Sequence, residues 1–153
     1  KPFGGNRMNI IAKNIMLMGC TRFASKNNWV ERNTNGRDIA NKLLRSRLTG
    51  IPVVDDKNSR RVIGIITEIN LIGIFREGMD PINFSADNIM SGVPKTADIH
   101  TPVEELIDIM VENNFTVIPI TKNNRLVGVV DRGSLMDFFI SPCTEKYVTA
   151  TQG

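Results

Sequence analysis

Two stretches of the chain end an apolar run on a residue that can cap a helix and set a second polar residue one turn further on. The first is GIITEIN, Gly64 to Asn70, with Thr67 and Asn70 as the polar pair; the second is GVVDRGS, Gly128 to Ser134, with Asp131 and Ser134. A hydroxyl at a helix N-cap, the open N–H groups of the first turn and the positive end of the dipole together form a corner receptive to an anion. An acceptor one turn along, on the same face, can meet a diol. Asn70 brings a single amide carbonyl to that task, without a carboxylate's charge-assisted strength. Asp131 puts a carboxylate where the first pair has a hydroxyl; it is a good N-cap, but it repels a phosphate unless Arg132 compensates. The Thr67 pair is therefore the preferred binding junction, and Asp131, Arg132 and Ser134 form a second one whose simpler role is capping.

Other chemistries find little support. His100 is the single histidine and Cys20 and Cys143 are the only cysteines, with no CxxC spacing, so multi-histidine metal sites, His-based triads and a disulfide framework are not expected. No glycine-rich phosphate loop or nucleophile beside a base stands out, so neither catalytic nor metal-binding residues are assigned. His100 reads as a surface or cap-adjacent residue, and Trp29 as packing for the loop that carries it.

The elements that must position the two junctions come in duplicate. Ala12-Lys13-Asn14-Ile15-Met16 returns as Ala86-Asp87-Asn88-Ile89-Met90 at an offset of 74, Thr34 and Pro52 return as Thr101 and Pro119 at 67, and Gly64 and Leu71 as Gly128 and Leu135 at 64. Order is kept while the offset shrinks, so the first copy carries an insertion at about 20–33 and a longer hairpin turn at Asp55 to Arg61. In the second copy, Thr101-Pro102-Val103-Glu104 predicts a Thr cap, a Pro at the first helical position and a Glu after them. Val103, Leu106, Ile107, Met110 and Val111 follow at helical spacing up to a stop at Asn113-Asn114. The first copy answers with Ile39, Ala40, Leu43, Leu44 and Leu48. Each copy continues with strands at Ile51 to Val54 and Val62 to Ile66, or Val117 to Ile120 and Leu126 to Val130, then a helix from Thr67 or Asp131 ended by Gly78 or Ser141-Pro142. Short leading strands are expected near Val93 and within Arg22 to Arg32. Neither copy can cover both faces of so small a sheet alone, so the two are expected to pack together about a pseudo-two-fold axis.

In these paired openings, in GIPVV and VIPIT, and in the two strand-to-helix junctions, the chain resembles a tandem pair of cystathionine-β-synthase (CBS) domains, a Bateman module, over about Ala12 to Ile140. The resemblance implies an α/β (α+β) fold of two pseudo-two-fold-related βαββα repeats packed through their small sheets: 8–80, 81–141 and a tail at 142–153. It implies a non-catalytic regulatory module that binds an adenosine-containing ligand, such as AMP, ADP, ATP or S-adenosylmethionine, in the cleft between the repeats. Carried onto this chain, Thr67 and Asn70 contact phosphate or ribose. Thr49, Gly50, Ile51 and Pro52, with Thr116, Val117, Ile118 and Pro119, line the adenine pockets, partly through backbone groups. Arg47 reaches phosphate across the cleft or serves as an exposed helix-end cation. The resemblance further implies a homodimer and an effector domain fused outside this stretch, which the start at Lys1 without a Met also suggests. The alternative is a dimerisation or scaffold module whose pockets have lost their ligand.

The bulk numbers agree. A composition 41% hydrophobic and 23% charged is that of a globular protein. A net charge of +3, spread along the chain with no stretch longer than Arg60-Arg61, points to no nucleic-acid partner. No apolar run approaches the roughly 20 residues of a membrane span, and a cytoplasmic setting is expected.

Overall fold

The computed structural model describes residues 10–19, 28–46, 48–92 and 95–140. The first half holds β1 (Val30–Glu31), α2 (Gly36–Ser46), β2 (Gly50–Val54), β3 (Val62–Thr67) and α3 (Glu68–Arg76), preceded by α1 (Ala12–Gly19). A 3₁₀ turn at Pro81–Asn83 and α4 (Ala86–Ile89) lead into β4 (Ala97–Asp98), α5 (Val103–Asn113), β5 (Val117–Lys122), β6 (Arg125–Asp131) and α6 (Arg132–Ile140). Each half forms a three-stranded sheet, ordered β1-β2-β3 or β4-β5-β6, with its first strand parallel and its last antiparallel to the middle one.

The middle strand β2 is buried along its whole length. Burial on both faces explains why GIPVV reads as a continuous apolar run instead of an alternating one: helices cover one face and the other half of the molecule covers the other. Val129 of β6 shows the join directly, since it packs in the core formed by Ile39, Leu43, Ile51, Val53, Ile66 and Leu71 of the first half. The second core gathers Leu106, Ile109, Met110, Ile118, Ile120, Val130, Leu135 and Phe138.

The two opening segments exchange partners. Ala12 and Lys13 donate their amides to Thr101 O at 2.8 Å and Ile99 O at 2.9 Å, while Val103 donates to Ile10 O at 3.0 Å. The repeat of this pattern is Ala86 to Thr34 O at 2.8 Å, Asp87 to Arg32 O at 3.0 Å and Gly36 to Phe84 O at 2.9 Å. Thus the AKNIM segment completes the second core, with Ile10, Ala12 and Ile15, and ADNIM completes the first, with Ala86 and Ile89. Glycines make the fit. A side chain on Gly128 would overlap Sδ of Met16, and one on Gly64 would overlap Sδ of Met90.

Several expectations change in detail. The second-copy helix starts at Val103, with Pro102 as an extended N-cap (φ −60°, ψ 146°) and no side-chain cap from Thr101; its Thr101 carbonyl is the acceptor for α1. The stop at Asn114 is a left-handed residue (φ 54°). The leading strand of the second copy lies at Ala97–Asp98, where it pairs with Ile120 and Thr121, whereas Val93 lies outside the described residues. In the first copy it is Val30–Glu31, at the end of the stretch anticipated. Most of the insertion, the helix-ending Ser141-Pro142, the tail, Cys20 and Cys143 also lie outside the described residues. Leu44 and Val111, placed by spacing on apolar faces, are 76% and 74% exposed.

The hairpin turns differ as their lengths suggest. Asn123 and Asn124, both at positive φ (52° and 62°), make the tight second turn, a conformation that asparagine tolerates better than most residues. The longer first turn is organised by Asp55, whose Oδ1 accepts from Ser59 Oγ and from the amides of Asp56 and Arg61. It reaches the second half: Leu126 donates its amide to Arg60 O at 3.0 Å, and Arg125 Nε donates to Asn58 O at 3.1 Å. The Arg60 guanidinium lies 5.0 Å from the Trp29 ring centroid, and Lys42 Nζ donates to Trp29 O at 2.8 Å, so Trp29 is packed against the module.

Candidate functional site

The antiparallel register of each half fixes where the junctions fall. Gly50 pairs with Thr67 and Val117 pairs with Asp131. Gly50 and Val117 occupy equivalent places in the two repeats, and a Cβ on Gly50 would stand 3.3 Å from Val117 Cγ2 and 3.5 Å from Thr116 Oγ1. Thr67, Gly50, Val117 and Asp131 therefore form one row across the seam, with a helix N-terminus at each end of it.

At the first end, Thr67 is extended (φ −107°, ψ 166°), as an N-cap requires. Its N–H donates to Asn70 Oδ1 at 2.8 Å and its hydroxyl donates to the same oxygen at 3.1 Å. The first helical amide, Glu68 N–H, donates to Thr49 O at 3.2 Å. At the second end the same links run in the opposite sense. Ser134 donates both its N–H, at 2.7 Å, and its hydroxyl, at 2.8 Å, to Asp131 Oδ1, and Arg132 N–H donates to Thr116 O at 3.3 Å. Hydroxyl and acceptor have exchanged places between cap and first turn. One pair is neutral; the other carries a carboxylate.

Arg132 does not turn to that carboxylate. Its Nε donates to Phe115 O at 2.9 Å, and Nη2 to Asn114 O at 3.2 Å and Asn114 Oδ1 at 2.9 Å, so the guanidinium closes the C-terminal end of α5. Ser134 is only 4% exposed, its hydroxyl held by Asp131, while Thr67, Asn70 and Asp131 are half-buried.

Of the wall residues, Ile51 and Ile118 are core side chains, and Val117, Pro52 and Pro119 are buried as well. These positions can offer a ligand backbone rather than side chain. Thr49 is exposed and, with Glu68, borders an apolar groove of about 480 Å³ between α2 and α3, lined also by Leu43, Leu44, Ile72 and Phe75. Arg47 lies outside the described residues. His100 donates its amide to Asp98 Oδ2 at 2.8 Å, with its ring Nδ1 at the same distance, and these contacts hold the Asp98 carboxyl below the usual range. It organises the turn before α5, away from the seam row.

Two features escaped the sequence reading. The Arg132 clip is one; its signal was the Asn114 stop, whose carbonyl and side chain both face the next helix. The α2–α3 groove is the other, signalled by apolar residues at equivalent places in both copies, Leu44 with Val111 and Ile72 with Met136, all exposed.

Two interlocked repeats, each aiming a capped helix at a shared seam, define a tandem-repeat module. The chain belongs to the CBS domain family, whose family model matches residues 22–77 and 86–141. It is 28% identical over 101 residues to the protein YlbB of Bacillus subtilis, covering 66% of this chain and 68% of that one. It is 29% identical over 86 residues to inosine-5'-monophosphate dehydrogenase of Staphylococcus haemolyticus, covering 55% of this chain but only 16% of the dehydrogenase. Among solved structures it is similar to a protein with CBS domains from Burkholderia ambifaria (TM-score 0.73, 16% identity, 88% of this chain and 96% of that one). It is also similar to CBSX2, crystallised with AMP (0.69, 19%, 86% and 96%), and to the CBS domain pair of protein MJ0100, crystallised with 5-methylthioadenosine and S-adenosyl-L-methionine (0.68, 21%, 84% and 98%).

Proposed function

We propose that this chain is a non-catalytic, cytoplasmic regulatory module that binds an adenosine-containing ligand at the seam and passes the change to an effector beyond this stretch. The observation that carries the reading is the neutral Thr67–Asn70 cap, which leaves the N-terminus of α3 without a protein anion of its own at the cap, beside the backbone of Gly50. The AMP, 5-methylthioadenosine and S-adenosyl-L-methionine in its structural neighbours support that ligand class. Among the described residues, no helix is long and apolar enough to cross a membrane. A ligand can shift the halves only by binding one of their arrangements more tightly than another.

Calorimetry with AMP, ADP, ATP and S-adenosylmethionine tests this. Saturable binding of the phosphate-bearing probes AMP, ADP and ATP that Thr67→Ala removes and Thr67→Ser keeps is expected; no binding by any of the four at concentrations on the order of millimolar overturns it.

A second reading, a ligand-free dimerisation module, draws on the α2–α3 groove and the exposed Leu44, Ile72, Phe75, Val111 and Met136. A homodimer through that face fits both readings. It predicts that Leu44→Glu combined with Ile72→Glu yields monomers in sedimentation; an unchanged mass for the double variant contradicts this use of the face.

A further inference from the structure

We infer that Asp131 excludes phosphate from the second junction, so that phosphate-bearing ligands occupy one place per chain, on the Thr67 side, while the Asp131 side admits adenosine derivatives without a phosphate. The inference rests on the proposed adenosine binding at the seam and adds which chemistry each end accepts.

A helix N-terminus favours an anion because its amides and dipole are unsatisfied. On α6 that seat is filled by the chain itself: Asp131 Oδ1 takes both the backbone and the hydroxyl donor of Ser134. The nearest cation by sequence, Arg132, is spent on Asn114 and Phe115. A phosphate brought to the same corner meets a half-buried carboxylate at short range, where like-charge repulsion weakens binding by about a hundredfold or more. It also loses the Ser134 donors, since the serine is buried and committed to Asp131. A neutral ribose meets no such penalty, because a carboxylate is a strong acceptor for hydroxyl groups, and a cationic adenosyl group gains from the charge.

On α3 the arrangement is complementary. Thr67 and Asn70 satisfy each other without net charge, and the one acidic residue of the first turn, Glu68, lines the outer groove with Thr49 and Ile72. The two ends lie on one row through Gly50 and Val117, so one nucleotide and one phosphate-free nucleoside could occupy the seam side by side.

Calorimetric stoichiometry on the intact chain decides it, with AMP and adenosine as separate probes. The wild-type chain is expected to saturate at one AMP and two adenosines. Asp131→Thr, which restores a hydroxyl cap, and Asp131→Asn, which keeps the shape without the charge, are each expected to add one AMP per chain. The second variant serves if the first fails to fold, as thermal melting shows. The inference is overturned if the folded variants gain no AMP, if the wild type already takes two, or if adenosine stops at one. Should the wild type take no AMP while the variants take one, the Thr67 reading falls and the role of Asp131 stands; should neither take any, both fall.

Discussion

Gly50 and Val117 hold the same place in their two repeats and meet across the seam, the valine methyl lying 3.3 Å from where a Cβ on Gly50 would stand. That meeting brings the two strand-to-helix junctions into one row. The close approach is possible because one member of the pair has no side chain.

Widening that contact should separate the halves. Gly50→Ala asks Val117 to give by a few tenths of an ångström, and Gly50→Val asks for more, so the valine variant is expected to lose about 1–3 kcal/mol by overpacking. Urea denaturation measures it. A valine variant as stable as wild type would mean that the halves do not rely on this approach.

The exchanged segments make a second prediction. Because Met16 sits over Gly128, Gly128→Ala should destabilise the protein, and Met16→Ala should recover part of that loss by vacating the space. A double-mutant cycle is expected to give a coupling energy of about 0.5–3 kcal/mol. Additive effects would contradict the docking of the first segment on the second half.

The long hairpin turn predicts a pH response. The Ser59 hydroxyl, the Asp56 and Arg61 amides and the Arg61 charge hold the Asp55 carboxyl below the usual range. The amides of Ser59 and Asn58 do the same for Asp56. A depressed carboxyl stabilises the fold in full above its unfolded pKa, near 4, and the contribution is lost as pH falls through the lower folded value. Thermal melts between neutral pH and about pH 3 should therefore show a smaller acid-induced fall for Asp55→Asn than for wild type. The variant should also alter Trp29 emission, because Arg60 of the same turn lies over that ring. Parallel pH profiles would show that the turn contributes no acid sensitivity.

Much of this was legible in the sequence because the repeat gives each element a second witness. The strands at Ile51 to Val54 and Val117 to Ile120, and the caps at Thr67 and Asp131, follow from apolar runs that stop at residues suited to begin helices. Which half each opening segment joins was not legible: AKNIM is adjacent in sequence to one core and packs in the other, and local patterning does not carry that choice. The helix start at Val103 was misplaced because Thr101 looked like a cap, while its backbone carbonyl is engaged by Ala12 from far along the chain. At the site, the residue types of the two junctions were plain, but the direction of their hydrogen bonds and the commitment of Arg132 to Asn114 depend on the loop before each helix.

We propose that ligand binds on the Thr67 side of the seam. A two-dimensional NMR titration with AMP tests it residue by residue. Saturable shifts at the Gly50, Thr67, Glu68 and Asn70 amides, with the Arg132 and Ser134 amides nearly still, are the predicted result. Shifts concentrated at Arg132 and Ser134, or no saturable shift at either junction, would contradict it.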